Sequence, residues 1–122
     1  MVYIDPGPEG SQVRIVTATI ANNASLSDTI DLGGWILGAV QMPAAWTAAG
    51  LTFQASADVA ANVANVYDEY GIEKYFTAGA SQFIVTTPGN FLGVRFLVVR
   101  SGTSGTPVAQ GGARSIKLIL HQ

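Results

Sequence analysis

The stretch from Leu32 to Ala57 contains no charged side chain, and this feature most constrains the fold. About 20 consecutive apolar residues can cross a bilayer, so hydropathy alone would nominate a membrane helix. Glycines and a Met-Pro pair interrupt the stretch, however, and polar residues recur at spacings unsuited to a lipid-facing helix. Pro43 fixes its own φ at about −65° and disfavours the α region for Met42, so a strand should end at Met42. We therefore predict two buried strands joined by a turn that begins at Pro43, and no membrane span.

The composition indicates one domain that works against a partner. A chain of 122 residues can build a hydrophobic core without metal or disulfide support. Only 11% of the residues are charged, against roughly 25% in an average soluble domain, and the net charge is −2. A monomer kept soluble by like-charge repulsion would rarely have this composition. We therefore expect an assembly component, with a weakly charged secreted module as the alternative.

The same composition bears on the classes of partner. Cysteine is absent, which removes disulfides, thiolate metal sites and cysteine nucleophiles together. The N-terminus lacks the basic and apolar regions of a signal peptide, so we expect synthesis in a cytoplasm without secretion. Nucleic acid is not an expected partner, because binding to phosphates needs basic residues clustered on one face. The basic residues are instead scattered along the chain, as Arg14, Lys74, Arg95, Arg100, Arg114 and Lys117.

The pattern of apolar residues predicts an all-β fold. Residues 1–11 contain DPGPEGS and predict a flexible N-terminal arm, and residues 12–122 predict a single domain. Eight or nine short strands with no long amphipathic helix predict an antiparallel β-sandwich or jelly roll. Residues 58–65 predict a loop that can hold a helical turn. Strands are predicted at 12–20, 35–42, 51–56, 94–100 and 115–121, with shorter β-type runs at 65–68, 73–77 and 82–86 that resemble a meander.

The residues offer little for catalysis, and we predict neither catalytic nor cofactor-binding residues. His121 is the only histidine and is penultimate, and no serine-triad or phosphate-loop pattern occurs. Asp68, Glu69 and Glu73 form the one acidic cluster, and paired carboxylates can hydrolyse glycosides. The sequence DEYG is more typical of a turn whose charges discourage sheet-edge pairing. We therefore expect a protein that is not an enzyme.

Calcium is the one cofactor that stays open, because hard cations take carboxylate and backbone oxygens. Its donors would be Asp28 and Asp31, or Asp68 and Glu69. We assign no metal site on this basis.

Two aromatic residues are the candidates for contact with a ligand or partner. Trp46 follows Pro43, and its ring either plugs one end of the sandwich, the favoured orientation, or projects outward. Tyr70 lies in the DEYG turn. Trp35, inside an apolar strand, is predicted to fill the core.

Several segments resemble a family of small virion structural proteins of tailed phages, over about residues 25–120. The segment 51–58 is also similar to the F-x-x-S-x-D-G strand of discoidin-like, galactose-binding jelly rolls, but Val59 stands where glycine is usual. The phage-like segments are LSDTIDLGG at 26–34, MPAAWTAA at 42–49, LTFQASAD at 51–58, YDEYG at 67–71 and GVRFLVVRSGT at 93–103.

The phage resemblance implies a non-enzymatic virion protein on the capsid or tail surface, made in the host cytoplasm. A capsid decoration or cement protein is the leading expectation. It would bind the major capsid protein or other virion proteins and form a homo-oligomer. The alternative is a carbohydrate-binding module of a tail fibre, baseplate or head spike, with a glycan bound through Trp46 or Tyr70.

Overall fold

The computed structural model describes residues 12–122, and the arm predicted at residues 1–11 lies outside the described residues. The described chain is all-β and forms two four-stranded antiparallel sheets, which confirms the predicted sandwich. The eight strands are β1 (Val13–Ile20), β2 (Ile30–Asp31), β3 (Ile36–Gln41), β4 (Leu51–Ser56), β5 (Ala64–Asn65), β6 (Phe83–Val85), β7 (Phe96–Ser101) and β8 (Arg114–His121). Short 3₁₀ helices lie at Ala60–Asn62 and Pro88–Phe91.

The strand order makes the sandwich a jelly roll. The first sheet has the order β1-β8-β3-β6 and the second sheet has the order β2-β7-β4-β5. The antiparallel pairs β1 with β8, β2 with β7, β3 with β6 and β4 with β5 are the pairs of one long hairpin. Rolling that hairpin distributes alternate pairs between two sheets, which is the jelly-roll arrangement.

The meander predicted within residues 65–86 is wrong. β5 pairs with β4 in the second sheet, whereas β6 pairs with β3 in the first, so the chain changes sheets between them. The intervening segment makes isolated bridges, such as those of Tyr67 with Glu73 and of Leu51 with Phe76. Local β propensity identified these runs as extended, but it carries no information on which strand each one pairs with.

The core lies between the sheets and uses both strands of the uncharged block. β3 belongs to the first sheet and β4 to the second, so the block contributes to both walls of the core. The rings of Phe53, Phe76 and Phe91 pack edge to face, with centroids 4.9 to 6.0 Å apart. Across residues 12–122 we find no helix long and apolar enough to cross a membrane.

Candidate functional site

Trp46 turns inward at one end of the sandwich. Its indole Nε1 donates to the carbonyl oxygen of Ala49 at 3.0 Å, and the ring packs against the core. Gln110 holds this loop, because its Oε1 accepts from the N–H of Thr47 at 2.8 Å and its Nε2 donates to the Thr47 carbonyl at 3.0 Å. Gln110 is fully buried. Trp46 therefore packs against the core at this end of the sandwich, with its side chain partly buried.

Tyr70, by contrast, stands at the tip of a turn and is 81% exposed. Asp68 shapes this turn: its Oδ1 accepts from the N–H groups of Tyr70 and Ile72, at 2.8 and 3.0 Å. One predicted contact residue thus points to the core and the other to solvent. The two do not form one binding surface.

The carboxylates considered for calcium or catalysis have partners within the protein. Among residues 12–122, no group of three or more His, Cys, Asp or Glu side chains is placed to hold a metal ion. Glu69 is exposed. The other carboxylates accept backbone hydrogen bonds: Asp28 from Thr19, Asp31 from Gly33, Asp68 from Tyr70 and Glu73 from Ser104.

The outer face of the second sheet is polar and covered. Arg100 lies at its centre and is only 5% exposed. Its Nη1 donates to Glu73 Oε2 at 3.2 Å and to Thr52 Oγ1 at 3.3 Å, and its Nη2 donates to Asn65 Oδ1 at 2.6 Å. Glu73 also accepts from the N–H of Ser104, in the connection after β7, at 3.2 Å. Glu73 lies in the connection between β5 and β6, and Ser104 lies in the connection between β7 and β8. The ion pair therefore holds both connections against the outer face of the sheet.

The outer face of the first sheet carries an apolar row that is exposed on the two edge strands and covered at its middle, where Ala39 is only 5% exposed. Ile15, Ile119, Ala39 and Val85 are successive partners across β1, β8, β3 and β6. At about 4.8 Å between strands, this row is about 14 Å long. Ile15 is 59% exposed and Val85 is 75% exposed. We define the apolar face as this row with the exposed residues beside it on the two edge strands: Val13, Ile15, Ala39, Phe83, Val85 and Ile119.

Two titratable side chains border the apolar face. Lys117 lies in the neighbouring row, between Thr17 and Gln41. The ring of His121 covers a β-bulge at Gly38, where an added Cβ would come within 2.8 Å of the His121 Cδ2. The His121 Nε2 is buried and has no hydrogen-bond partner among the described residues. Lys117 therefore lies in the same row as Phe83, next to the row of Ile15 and Val85.

A groove of about 650 Å³ lies at the end of the sandwich opposite Trp46. Residues 33–36 form one wall, and Phe91 with residues 93–95 forms the other. Asp31 holds both walls: its Oδ1 accepts from the N–H of Gly33 at 2.9 Å, and its two oxygens accept from Arg95 Nε and Nη2 at 3.2 and 3.3 Å. The hydrogen bond from Arg95 lowers the pKa of Asp31 below its usual 3.8, and the same contact raises the pKa of Arg95.

Trp35, which was predicted to fill the core, packs against the core and also lines this groove. The ring is half-buried, packs against the core with part of its surface, and leaves the rest in the groove. The guanidinium carbon of Arg14 lies 6.0 Å from the ring centroid. Gly33 and Gly34 have φ values of +59° and +88°, and this turn places Trp35 just before β3. The signal available in the sequence was the pair of glycines before Trp35, because such a pair indicates a turn and places the next residue at the start of a strand.

Comparison of the chain with protein-family models, with curated protein sequences and with solved structures finds no match. The resemblance to phage virion proteins therefore stays a prediction. The apolar face and the groove at Trp35 are the two surfaces that bear on function.

Proposed function

We propose that the chain is a non-enzymatic structural protein of a phage virion, most specifically a capsid decoration protein that docks through its apolar face. The observation that carries the proposal is the row of apolar side chains across all four strands of the first sheet. Large contiguous apolar patches on soluble proteins mark sites of interaction. The occupant of this face would be the surface of the major capsid protein.

Three further observations support this proposal. The jelly roll is a fold of many capsid and lectin domains, although a fold alone does not define a function. The resemblance to virion proteins stated from the sequence, over about residues 25–120, points the same way, but no family model, curated sequence or solved structure matches the chain. The low content of charged residues suits a component of a larger assembly.

The geometry of the face indicates what its partner must offer. The flat apolar row calls for an apolar strip of comparable length on the capsid surface. Lys117 at the border calls for a carboxylate, which would set the orientation of docking more than its strength. Such a module would stabilise a lattice by burying apolar surface at a joint between subunits. Self-association around a symmetry axis would place several copies on one joint.

A binding assay on purified capsids of the encoding phage tests this proposal. We expect the full chain to co-sediment with capsids at a fixed stoichiometry and to raise their thermal disruption temperature. Val85→Lys puts a charge on the apolar face and should weaken capsid binding strongly, and with it the rise in disruption temperature. Ala61→Lys adds the same charge at an exposed position in the 3₁₀ helix between β4 and β5 of the second sheet. This control variant should leave both effects intact.

Two outcomes would contradict the proposal. Wild-type protein at about 1 µM, a typical concentration for specific binding, could fail to bind capsids altogether. Alternatively, Val85→Lys and Ala61→Lys could bind equally well, which would show that capsids are held by another surface.

A further inference from the structure

We propose that the groove between residues 33–36 and 93–95 binds a neutral pyranose sugar. The C–H groups of the sugar would pack against the indole of Trp35, and its hydroxyls would bind the Arg95–Asp31 pair. This site goes beyond the decoration role, and it involves neither Trp46 nor Tyr70.

The dimensions and lining of the groove suit a small ligand. A volume of about 650 Å³ falls within the range of small-molecule sites, roughly 300 to 1,000 Å³. The lining combines apolar surface from Trp35, Ile36 and Val94 with one charged side chain, Arg95. An added Cβ at Gly33 or at Gly93 would meet no atom within 4 Å. The backbone of both walls is therefore open to a ligand.

The ion pair supplies donors and acceptors side by side. A guanidinium has five N–H donors, and Asp31 accepts from one on Nε and one on Nη2. The side chains of Arg95 and Asp31 are 54% and 48% exposed, so donors and carboxylate lone pairs remain open to solvent. Arg95 lines the groove, whereas Asp31 lies outside the lining, and the guanidinium also lies over the ring of Phe96 at 5.0 Å from its centroid. Neighbouring sugar hydroxyls each donate and accept, so they match an arginine and a carboxylate held edge to edge.

The same pair argues for a neutral ligand. The charges of Arg95 and Asp31 cancel, and Asp31 is already bound to the guanidinium through both oxygens. The guanidinium of Arg14, 6.0 Å from the Trp35 ring centroid, adds one positive charge beside the indole, so the comparison with an anionic sugar is part of the test. An anionic ligand would have to displace or lie beside this carboxylate, where like charges repel. A hydroxylated ring without charge meets no such cost.

The chain has two tryptophans, which makes the groove measurable by fluorescence. In a Trp46→Phe variant the only remaining indole is that of Trp35. We expect saturable changes in its emission when the full-length variant is titrated with a methyl pyranoside of glucose, galactose, mannose or N-acetylglucosamine. If this variant does not fold, the two indole N–H resonances of the wild-type protein report the same binding separately by NMR.

Variants locate the site. Trp35→Ala and Arg95→Met should each weaken sugar binding at least tenfold, whereas Tyr70→Ala should leave it unchanged. Each of these results would support the groove, provided that circular dichroism shows the variants to be folded. Val85→Lys should bind sugar normally, which separates this proposal from capsid docking.

Three results would overturn the inference. The first is the absence of a saturable response to any of the four sugars at about 10 mM, tenfold above a millimolar Kd. The second is binding that persists in both Trp35→Ala and Arg95→Met. The third is tighter binding of glucuronate, which carries a carboxylate, than of methyl glucoside, and this would show an anion site instead.

Discussion

The outer faces of the two sheets differ in chemistry and in cover. In the second sheet, Arg100 and its polar neighbours lie beneath the connections that contain Glu73 and Ser104. In the first sheet, Ile15 and Val85 face outward with no comparable cover among residues 12–122. The polar side chains around Arg100 form hydrogen bonds within the chain, whereas Ile15 and Val85 remain exposed to solvent. This contrast is the reason that the proposed docking surface lies on the first sheet and not on the second.

The contrast also separates stability from recognition. A buried ion pair contributes little beyond apolar packing while both partners are present, but it is costly to break. An exposed apolar residue contributes little to folding, because folding leaves it in water. Changes on the second face should therefore affect the free energy of unfolding, and changes on the first face should affect binding.

The largest expected effect follows from removing Arg100. Arg100→Met leaves the Glu73 carboxylate, which is 16% exposed, without its cation, and breaking such a buried pair costs about 3 kcal/mol in the free energy of unfolding. Urea denaturation measures this loss. Arg95→Met breaks the exposed pair with Asp31 and should leave the denaturation midpoint nearly unchanged.

A double variant tests the cause of that loss. Arg100→Met combined with Glu73→Leu removes both charges, so about half or more of the lost stability should return. Equal instability of the single and double variants would show that Arg100 acts through packing or through its bonds to Thr52 and Asn65 rather than through the ion pair.

The next effect concerns the apolar face. Val85→Lys should weaken capsid binding by about 2 kcal/mol or more, roughly thirtyfold, because a charge would be buried in the interface. The free energy of unfolding should change by less than about 0.5 kcal/mol, since this side chain is 75% exposed. Quantitative co-sedimentation and urea denaturation give the two values. Loss of stability comparable to that of Arg100→Met would erase the distinction between the faces.

A smaller effect is expected from a milder change in the same face. Ile15→Thr keeps a β-branched side chain but removes apolar area, so capsid binding should weaken by about 1 kcal/mol. Thr19→Ser is the matched control, because Thr19 is exposed on the same strand but lies outside the apolar face. The same co-sedimentation assay applies. An equal loss in both variants would mean that strand β1 as a whole, not its apolar end, contacts the capsid.

The sequence predicted strands better than it predicted faces. In β4, apolar and polar residues alternate, and the predicted range 51–56 matches the strand. In β1, both alternating sets are largely apolar, since Val13 and Ile15 face outward while Ala18 and Ile20 face the core. Alternation therefore could not identify the exposed set. Only the pairing of β1 with β8, and of β8 with β3, determines it.

The groove and the buried ion pair could not be predicted from the sequence for a related reason. Arg100 sits in an apolar strand, and its partner Glu73 was predicted to begin a short β-type run and to belong to an acidic cluster. The two meet because the connection after β5 folds back over the second sheet. Likewise, Asp31 and Arg95 are joined only by the pairing of β2 with β7. Contacts between residues distant in sequence depend on topology, which local patterns do not encode.

The smallest expected effect is the pH dependence of the exposed ion pair between Asp31 and Arg95. The hydrogen bond from Arg95 lowers the pKa of Asp31 below 3.8, so Asp31 stabilises the folded state above that pH. This contribution is lost as the pH falls through the folded-state pKa. Sugar affinity and Trp35 emission should therefore stay constant from about pH 7 to pH 4 and decline only in more acidic solution. Carbon-13 NMR of the Asp31 carboxyl measures the titration directly. Asp31→Asn should show a flat profile, and a midpoint above 3.8 would mean that Arg95 does not hold this carboxylate in solution.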